Sequence, residues 1–267
     1  MAGNHGHSLG GMRNMKGTAA DALQRFLGRI VLVAGGARGQ GLAHSRRLAS
    51  EGATVLMADV LIEVGEENAR KLQDVGLDVR FIYLDVADPE SWQHLKRVIE
   101  EEHQRVDVLV NNAGVVSVVE LEALDLAEWD RILSVNLTGA FLGLQTMLPL
   151  LKESASPAVV NTSSIFGPSG AEGYAAYGAS KSGLLGLTKV AALEWAPLGI
   201  RVNALVPGGV STELNAAEKD GGVIPETPLG RRSYPDEQAA AVAYLASDDA
   251  SFVTGAELVV DGGFSIR

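Results

Sequence analysis

From Arg29 onward, short runs rich in Val, Ile, Leu and Ala alternate with longer stretches in which apolar residues recur every third or fourth position. The short runs are Ile30–Ala34, Thr54–Ala58, Val79–Leu84, Val106–Val110, Ala158–Thr162, Ile200–Val206 and Glu257–Val260. The longer stretches lie near 40–51, 64–75, 89–104, 127–152, 175–197 and 235–247. Several runs are apolar at consecutive positions, which predicts strands buried on both faces, as in a parallel sheet covered by helices. The strand–helix alternation predicts an α/β fold: one doubly wound domain on a seven-stranded parallel sheet. Gly52, Gly76 and Gly199 fall where helical stretches end, a place for a residue that tolerates a left-handed backbone.

Composition narrows the class without naming a chemistry. Hydrophobic residues make up 46 % of the 267 and aromatic ones 5 %, which suits an Ala/Val/Leu-rich α/β core and excludes a disordered chain. A formal net charge of −11 argues against nucleic acid and anionic membranes as partners, since both require basic patches. With no cysteine there is no disulfide, thiolate zinc site or cysteine nucleophile, which is compatible with a reducing cytoplasm. No uninterrupted apolar run reaches the ~18 residues of a membrane span. The first two dozen residues lack the apolar segment of a secretory signal. His5 and His7 lie in that glycine-rich stretch and read as part of a tail rather than as a metal pair. These features predict a flexible tail over 1–27, a catalytic domain over 28–267, no metal and a cytoplasmic location.

The first strand runs into Gly35-Gly-Ala-Arg38-Gly39-Gln40-Gly41 and then directly into a helix. Glycines here allow a tight turn and let backbone N–H groups and the helix N-terminus approach a pyrophosphate. The spacing is Gly-x-x-x-Gly-x-Gly, distinct from the Gly-x-Gly-x-x-Gly fingerprint, and an ordinary turn would also tolerate it. Asp59 ends the second strand, where a carboxylate can accept from both adenosine ribose hydroxyls and repel a 2′-phosphate. That position predicts NAD over NADP. Capping the next helix is the competing role for Asp59. Arg38 is a conflicting signal, because a basic residue in this loop suits a 2′-phosphate.

Tyr177 and Lys181 are four residues apart, so on a helix they share a face with β-carbons about 5–6 Å apart. An unperturbed phenol titrates at about 10. A neighbouring ammonium favours the phenolate and makes the tyrosine a proton-transfer group for an alcohol or ketone nearer neutrality. Alone, so short a motif also arises by coincidence.

Three further segments follow strands in order: Asn111-Asn112-Ala-Gly, Asn161-Thr-Ser-Ser164 and Pro207-Gly208. With the glycine loop and the Tyr177/Lys181 pair, they make the chain resemble the short-chain dehydrogenase/reductase family, in its compact single-domain branch, over residues 28–265. The resemblance implies a Rossmann-type fold, a small-molecule alcohol or ketone as substrate, NAD as cofactor, and a homotetramer. It implies that Ser164 bonds the substrate oxygen, Tyr177 is the general acid/base, and Lys181 holds the nicotinamide ribose and lowers the tyrosine pKa. Asn136, in Ser-Val-Asn-Leu-Thr-Gly, would position a relay water near the lysine. Gly35, Arg38, Gly39, Gln40 and Gly41 would hold the dinucleotide, Asp85 and Val86 its adenine, and Asn112 would lie beside it. Val210 and Thr212 would grip the carboxamide, although core packing explains Val86 and Val210 nearly as well. One departure stands out: the threonine usual before Gly35 is Ala34 here, which predicts a less firmly braced loop.

Val115–Val119, Ile165–Tyr174 and the segment 211–228 are the expected substrate walls, contributing Val116, Ile165, Phe166, Val223 and Ile224, with Glu172, Glu213 and Glu218 nearby. They lack a basic cluster for a carboxylate or phosphate, which favours a neutral, fairly apolar substrate. In overall look the chain is most similar to NAD-dependent hydroxysteroid or cyclic-alcohol dehydrogenases of this family. A 3-oxoacyl-carrier-protein reductase is the alternative, with only Arg231 and Arg232 to meet an acidic partner. An inactive NAD-binding scaffold is the other. The resemblance places subunit contacts on the 127–152 and 175–197 helices and the C-terminal strand, with small residues in Gly178-Ala-Ser and Ala191-Ala192 suited to close packing.

Overall fold

A computed structural model of the chain describes residues 24–213 and 223–266. Seven parallel strands form one sheet: β1 (Ile30–Ala34), β2 (Thr54–Asp59), β3 (Val79–Tyr83), β4 (Val108–Asn111), β5 (Ala158–Thr162), β6 (Arg201–Pro207) and β7 (Glu257–Val260). Their order across the sheet is β3-β2-β1-β4-β5-β6-β7. Around it lie α1 (Gly39–Ser50), α2 (Ile62–Asp74), α3 (Pro89–Glu102), α4 (Leu126–Leu133), α5 (Gly139–Leu151), α6 (Phe166–Ser169), α7 (Ala175–Trp195) and α8 (Pro235–Ala246). Every expected strand is present, with small shifts at the ends, and the α/β Rossmann-type fold is the one predicted.

Alternation sorts the strand side chains between two cores. Val31, Val33, Val55, Met57, Val108, Val110 and Val160 pack with Leu48 of α1 and Val242, Ala243 and Ala246 of α8. Their neighbours Leu32, Ala34, Leu56, Leu109 and Val159 meet Trp92, Leu95 and Ile99 of α3, Leu144 and Met147 of α5, and Trp195 of α7. Successive strand side chains point to opposite faces, so a strand covered on both sides is apolar on both, apart from hydrogen-bonded exceptions such as Asn161 and Asn203. Each fully buried Leu or Val contributes about 1.5–3 kcal/mol.

The strand order reverses between β1 and β4, and there a crevice opens beyond the carboxyl ends of the strands. Register sets Ala34 beside Ala58 and Asn111, and Asn111 beside Asn161. The residues that follow, Gly35, Asp59, Asn112 and Thr162, therefore emerge along one edge of the sheet.

Three expectations change. The expected tail reaches residue 27, yet Phe26 is fully buried, its N–H donates to Glu51 O at 3.0 Å, and Arg25 is paired with Glu51. Residues 1–23, with His5 and His7, lie outside the described residues. Next, the expected 127–152 helix is two helices joined by a π-helical turn, Ser134–Thr138. The whole stretch, Leu126–Leu151, is by length and composition apolar enough to cross a membrane. Ile132, Leu144, Met147 and Leu151 within it are buried in the chain's own core, while Leu126 and Phe141 are exposed. Finally, Ala191 and Ala192, expected on a subunit surface, are packed inside this chain beneath α7.

Candidate active site

The turn from β1 into α1 is firm without the threonine. Ala34 O accepts from Asn112 N at 3.0 Å and Ala113 N at 2.8 Å, while Ala58 O accepts from Gly35 N at 2.8 Å and Gly36 N at 3.1 Å. The Asn112 side chain donates to Gly35 O at 3.0 Å, and that of Asn68 to Ala37 O at 2.9 Å. The expectation of a loosely braced loop is not met, because backbone pairing and two amide side chains replace the missing hydroxyl. Two glycines are needed for closeness: a Cβ on Gly35 would lie 2.5 Å from Ala113 Cα, and one on Gly41 would lie 1.8 Å from Gly35 O. Helix α1 starts with no side-chain cap from Arg38 and no acidic residue in its first turn. Such an uncapped N-terminus presents N–H groups to an anion.

A cleft of about 470 Å³ opens at this edge, within the roughly 300–1,000 Å³ of small-molecule sites. It brings together Gly35, Arg38, Gly39, Gln40, Asp59, Asp85, Val86, Asn112, Tyr177, Lys181 and Thr212. Of the other predicted residues, Gly41, Asn136, Ser164 and Val210 are buried. Leu61, Gly114, Val115, Val135, Thr162, Ser163 and Glu213 also line it. Gly114, Thr162 and Ser163 belong to the Asn-Asn-Ala-Gly and Asn-Thr-Ser-Ser segments and were findable there. Val115 belongs to the expected wall Val115–Val119, whereas Leu61 and Val135 carry no signal beyond being apolar.

Asp59 Oδ2 accepts from Ala37 N at 3.1 Å and Oδ1 from Leu61 N at 3.2 Å, so this carboxylate does order the start of α2 as well as facing the cleft. Each oxygen keeps a lone pair for another donor. Asp85 accepts from Ala87 N at 2.9 Å, and Val86 O accepts from the Trp92 indole at 3.0 Å. Val210 is 2 % exposed and forms a backbone bridge with Ser233. Arg38 does not stand free in the cleft: its Nη1 is 2.7 Å from Glu213 Oε2.

On the other flank, α7 presents Tyr177 and Lys181 on one face, as the spacing predicts. Lys181 is 3 % exposed, and its Nζ donates to Thr162 O at 2.7 Å and lies 5.8 Å from the centre of the Tyr177 ring. Burial lowers its pKa from 10.5 to about 8, since an apolar surround penalises the ammonium. Ser164 Oγ accepts from Phe166 N at 3.2 Å, and the neighbouring Ser163 hydroxyl donates to Lys181 O at 2.8 Å.

Asn136 is a clamp. Its amide accepts from Val115 N at 2.8 Å and donates to Val115 O at 2.9 Å and Ser180 Oγ at 3.1 Å, while Ser180 donates to Tyr177 O at 2.7 Å. The side chain thus ties the strand-β4 loop to the helix that carries the tyrosine. The π turn centred on Asn136 disturbs the regular ladder, a common feature of functional sites. In the sequence, Asn136 was marked by the Ser-Val-Asn-Leu-Thr-Gly segment and by being a poor helix former in mid-helix.

His44 on α1 carries no motif signal. It is fully buried, with the Asn112 side chain as its polar neighbour. Burial lowers its pKa from 6.5 to about 4, with the Asn112 side chain opposing the shift. The folded chain then binds fewer protons than the unfolded one between about pH 6.5 and pH 4, so stability falls on acidification through that window. The loss reaches about 3 kcal/mol by pH 4. His44→Leu is expected to remove that part of the acid dependence, read from urea midpoints at neutral and acid pH. Parallel losses in both proteins would refute the assignment.

Two expected substrate walls meet where Val119 pairs with Tyr174. Phe166 and Tyr174 lie 4.9 Å apart, Tyr174 is 6.1 Å from Tyr177, and Phe264 joins Phe166 at 6.4 Å. Phe264 comes from the C-terminal segment, beyond any expected wall. Ile165, expected as a wall, is 3 % exposed and packs against Leu185, Ala204 and Val206. Residues 214–222, with Glu218, lie outside the described residues.

Fold and cleft together define a Rossmann-type α/β protein with a small-molecule site at the switch point of its sheet. Residues 35–265 match the family described as Enoyl-(Acyl carrier protein) reductase. The chain is 43 % identical over 239 residues to a 3-alpha-(or 20-beta)-hydroxysteroid dehydrogenase of Mycobacterium bovis, covering 90 % of each. It is 40 % identical to a cyclopentanol dehydrogenase of Comamonas sp., covering 89 % of this chain and 97 % of the relative. A solved short-chain dehydrogenase/reductase from Burkholderia xenovorans superposes with a TM-score of 0.88 at 34 % identity, covering 91 % of this chain and 99 % of that one. The chain belongs to the short-chain dehydrogenase/reductase family and is an enzyme of its alcohol dehydrogenase/ketoreductase kind.

Proposed function

We propose that the enzyme interconverts a fairly apolar cyclic secondary alcohol and its ketone, with NAD as the cofactor, in the cytoplasm. The observation that carries this reading is one cleft holding Asp59 at one end and the Tyr177–Lys181 pair at the other. The residues fit a dinucleotide. The tight turn that Gly35 and Gly41 permit lines the cleft beside the uncapped start of α1, and Gln40 Oε1 and Thr162 Oγ1 are buried without partners among the described residues. When bound, the nicotinamide exchanges two electrons and the carbinol hydrogen with the substrate carbon. Tyr177 takes the hydroxyl proton during oxidation and returns it during reduction. Ser164 steadies the substrate oxygen as charge develops there. Lys181, cationic below about pH 8, favours the phenolate and holds the ribose. Asn136 keeps the loop at Val115 and the tyrosine helix in register.

The relatives named for a hydroxysteroid and cyclopentanol support a cyclic substrate, and the Phe166/Tyr174/Phe264 cluster supports an apolar one. An acyl-carrier-protein substrate is less well supported, because Glu237 already binds both terminal nitrogens of Arg231, at 2.8 and 2.7 Å. The test is cofactor reduction across a panel of cyclic secondary alcohols, with NAD and NADP in parallel. We expect kcat/KM to favour NAD by at least about tenfold, some 1.4 kcal/mol. Equal efficiency with NADP would refute the role given to Asp59. Assembly as a homotetramer is part of the reading, through faces that carry Val190 and Leu193 of α7 and Phe141 of α5, all exposed here. Sedimentation as a monomer would overturn it.

A further inference from the structure

Resting on the NAD reading, we infer that Glu213 is a cofactor-specificity residue that acts by engaging Arg38. Arg38 follows Ala37, whose N–H donates to Asp59 Oδ2 at 3.1 Å. Its backbone is therefore one residue from the carboxylate placed to read the adenosine ribose. A guanidinium is well suited to bind a phosphate, so an unengaged Arg38 would attract the 2′-phosphate that Asp59 repels. The structure resolves that conflict through Glu213, whose Oε2 lies 2.7 Å from Arg38 Nη1.

Glu213 reaches Arg38 from the segment after β6. Its neighbour Thr212 sits against the glycine loop, with Cγ2 3.6 Å from the position of a Gly39 Cβ. Both members of the pair line the cofactor cleft. Their side chains are 52 % and 73 % exposed, and pairs so exposed add little to stability. The consequence of the pair is electrostatic and local. Asp59, Arg38 and Glu213 all line the cleft, so two carboxylates and one guanidinium share its lining. Removing the Glu213 charge releases the guanidinium from its 2.7 Å partner.

The test is calorimetric titration of NAD and NADP into the whole wild-type chain, E213Q, R38Q and the double variant, a readout independent of turnover. E213Q is expected to raise affinity for NADP relative to NAD by roughly tenfold, the scale of one charge-assisted hydrogen bond. The gain should vanish when Arg38 is also replaced. An unchanged ratio in E213Q, or the same gain in the double variant, would overturn the inference. A wild type that binds both dinucleotides equally would instead contradict the Asp59 reading, and the change in ratio would still decide the role of Glu213.

Discussion

Tyr177→Phe lowers kcat by about 10²–10⁴-fold, the usual scale of acid–base assistance, and leaves NAD affinity nearly unchanged. The substitution removes one oxygen and keeps the ring. Contacts that depend on the ring survive, namely the edge-on approach of Tyr174 at 6.1 Å and the Lys181 ammonium at 5.8 Å. Helix α7 and its ties through Ser180 and Asn136 use the backbone of residue 177, which the variant retains. Steady-state rates and dinucleotide titration together separate chemistry from binding. A variant with near-normal kcat would show that another group moves the proton.

Gly41→Ala disables the dinucleotide loop. The new methyl would stand 1.8 Å from Gly35 O and 2.8 Å from Asn112 Nδ2, so the turn that Asn112 braces must open. Overpacking of this kind costs about 1–3 kcal/mol or more, and the moved atoms are those that approach the pyrophosphate. We expect NAD affinity to fall by more than tenfold, about 1.4 kcal/mol, together with a lower Tm. Gly186→Ala is the control, since a Cβ there meets nothing within 4 Å in the middle of α7 and helix propensity alone favours it. Equal behaviour of the two variants would contradict the close-approach argument.

Much of this architecture was legible because parallel strands covered on both faces have few polar positions. Leu32 and Val33 go to different cores, yet both must be apolar, so the strand runs announced themselves. The cleft was legible through residues adjacent in sequence, the glycine loop and the Tyr177/Lys181 turn. What stayed hidden depends on distant contacts. Arg38 and Glu213 are 175 residues apart and read separately as a phosphate ligand and a nearby wall residue. Phe264 reaches the aromatic cluster only because the chain after β7 folds back toward Phe166. The π turn at Asn136 leaves apolar spacing almost unchanged, so periodicity sees one helix. Ala191 and Ala192 show the limit of composition: small residues suit close packing, but only the fold decides whether the partner is another subunit or, as here, the same chain.

In the proposed reaction the carbinol hydrogen of a secondary alcohol passes to a nicotinamide in this cleft while Tyr177 takes the hydroxyl proton. Cyclopentanol and larger cyclic alcohols deuterated at the carbinol carbon test it most directly, with the label followed into the dinucleotide for the wild-type and Tyr177→Phe proteins. The prediction is label on the reduced nicotinamide ring with the wild type and transfer at least about a hundredfold slower in the variant. No transfer from any alcohol of the panel, or equal transfer by the two proteins, would contradict it.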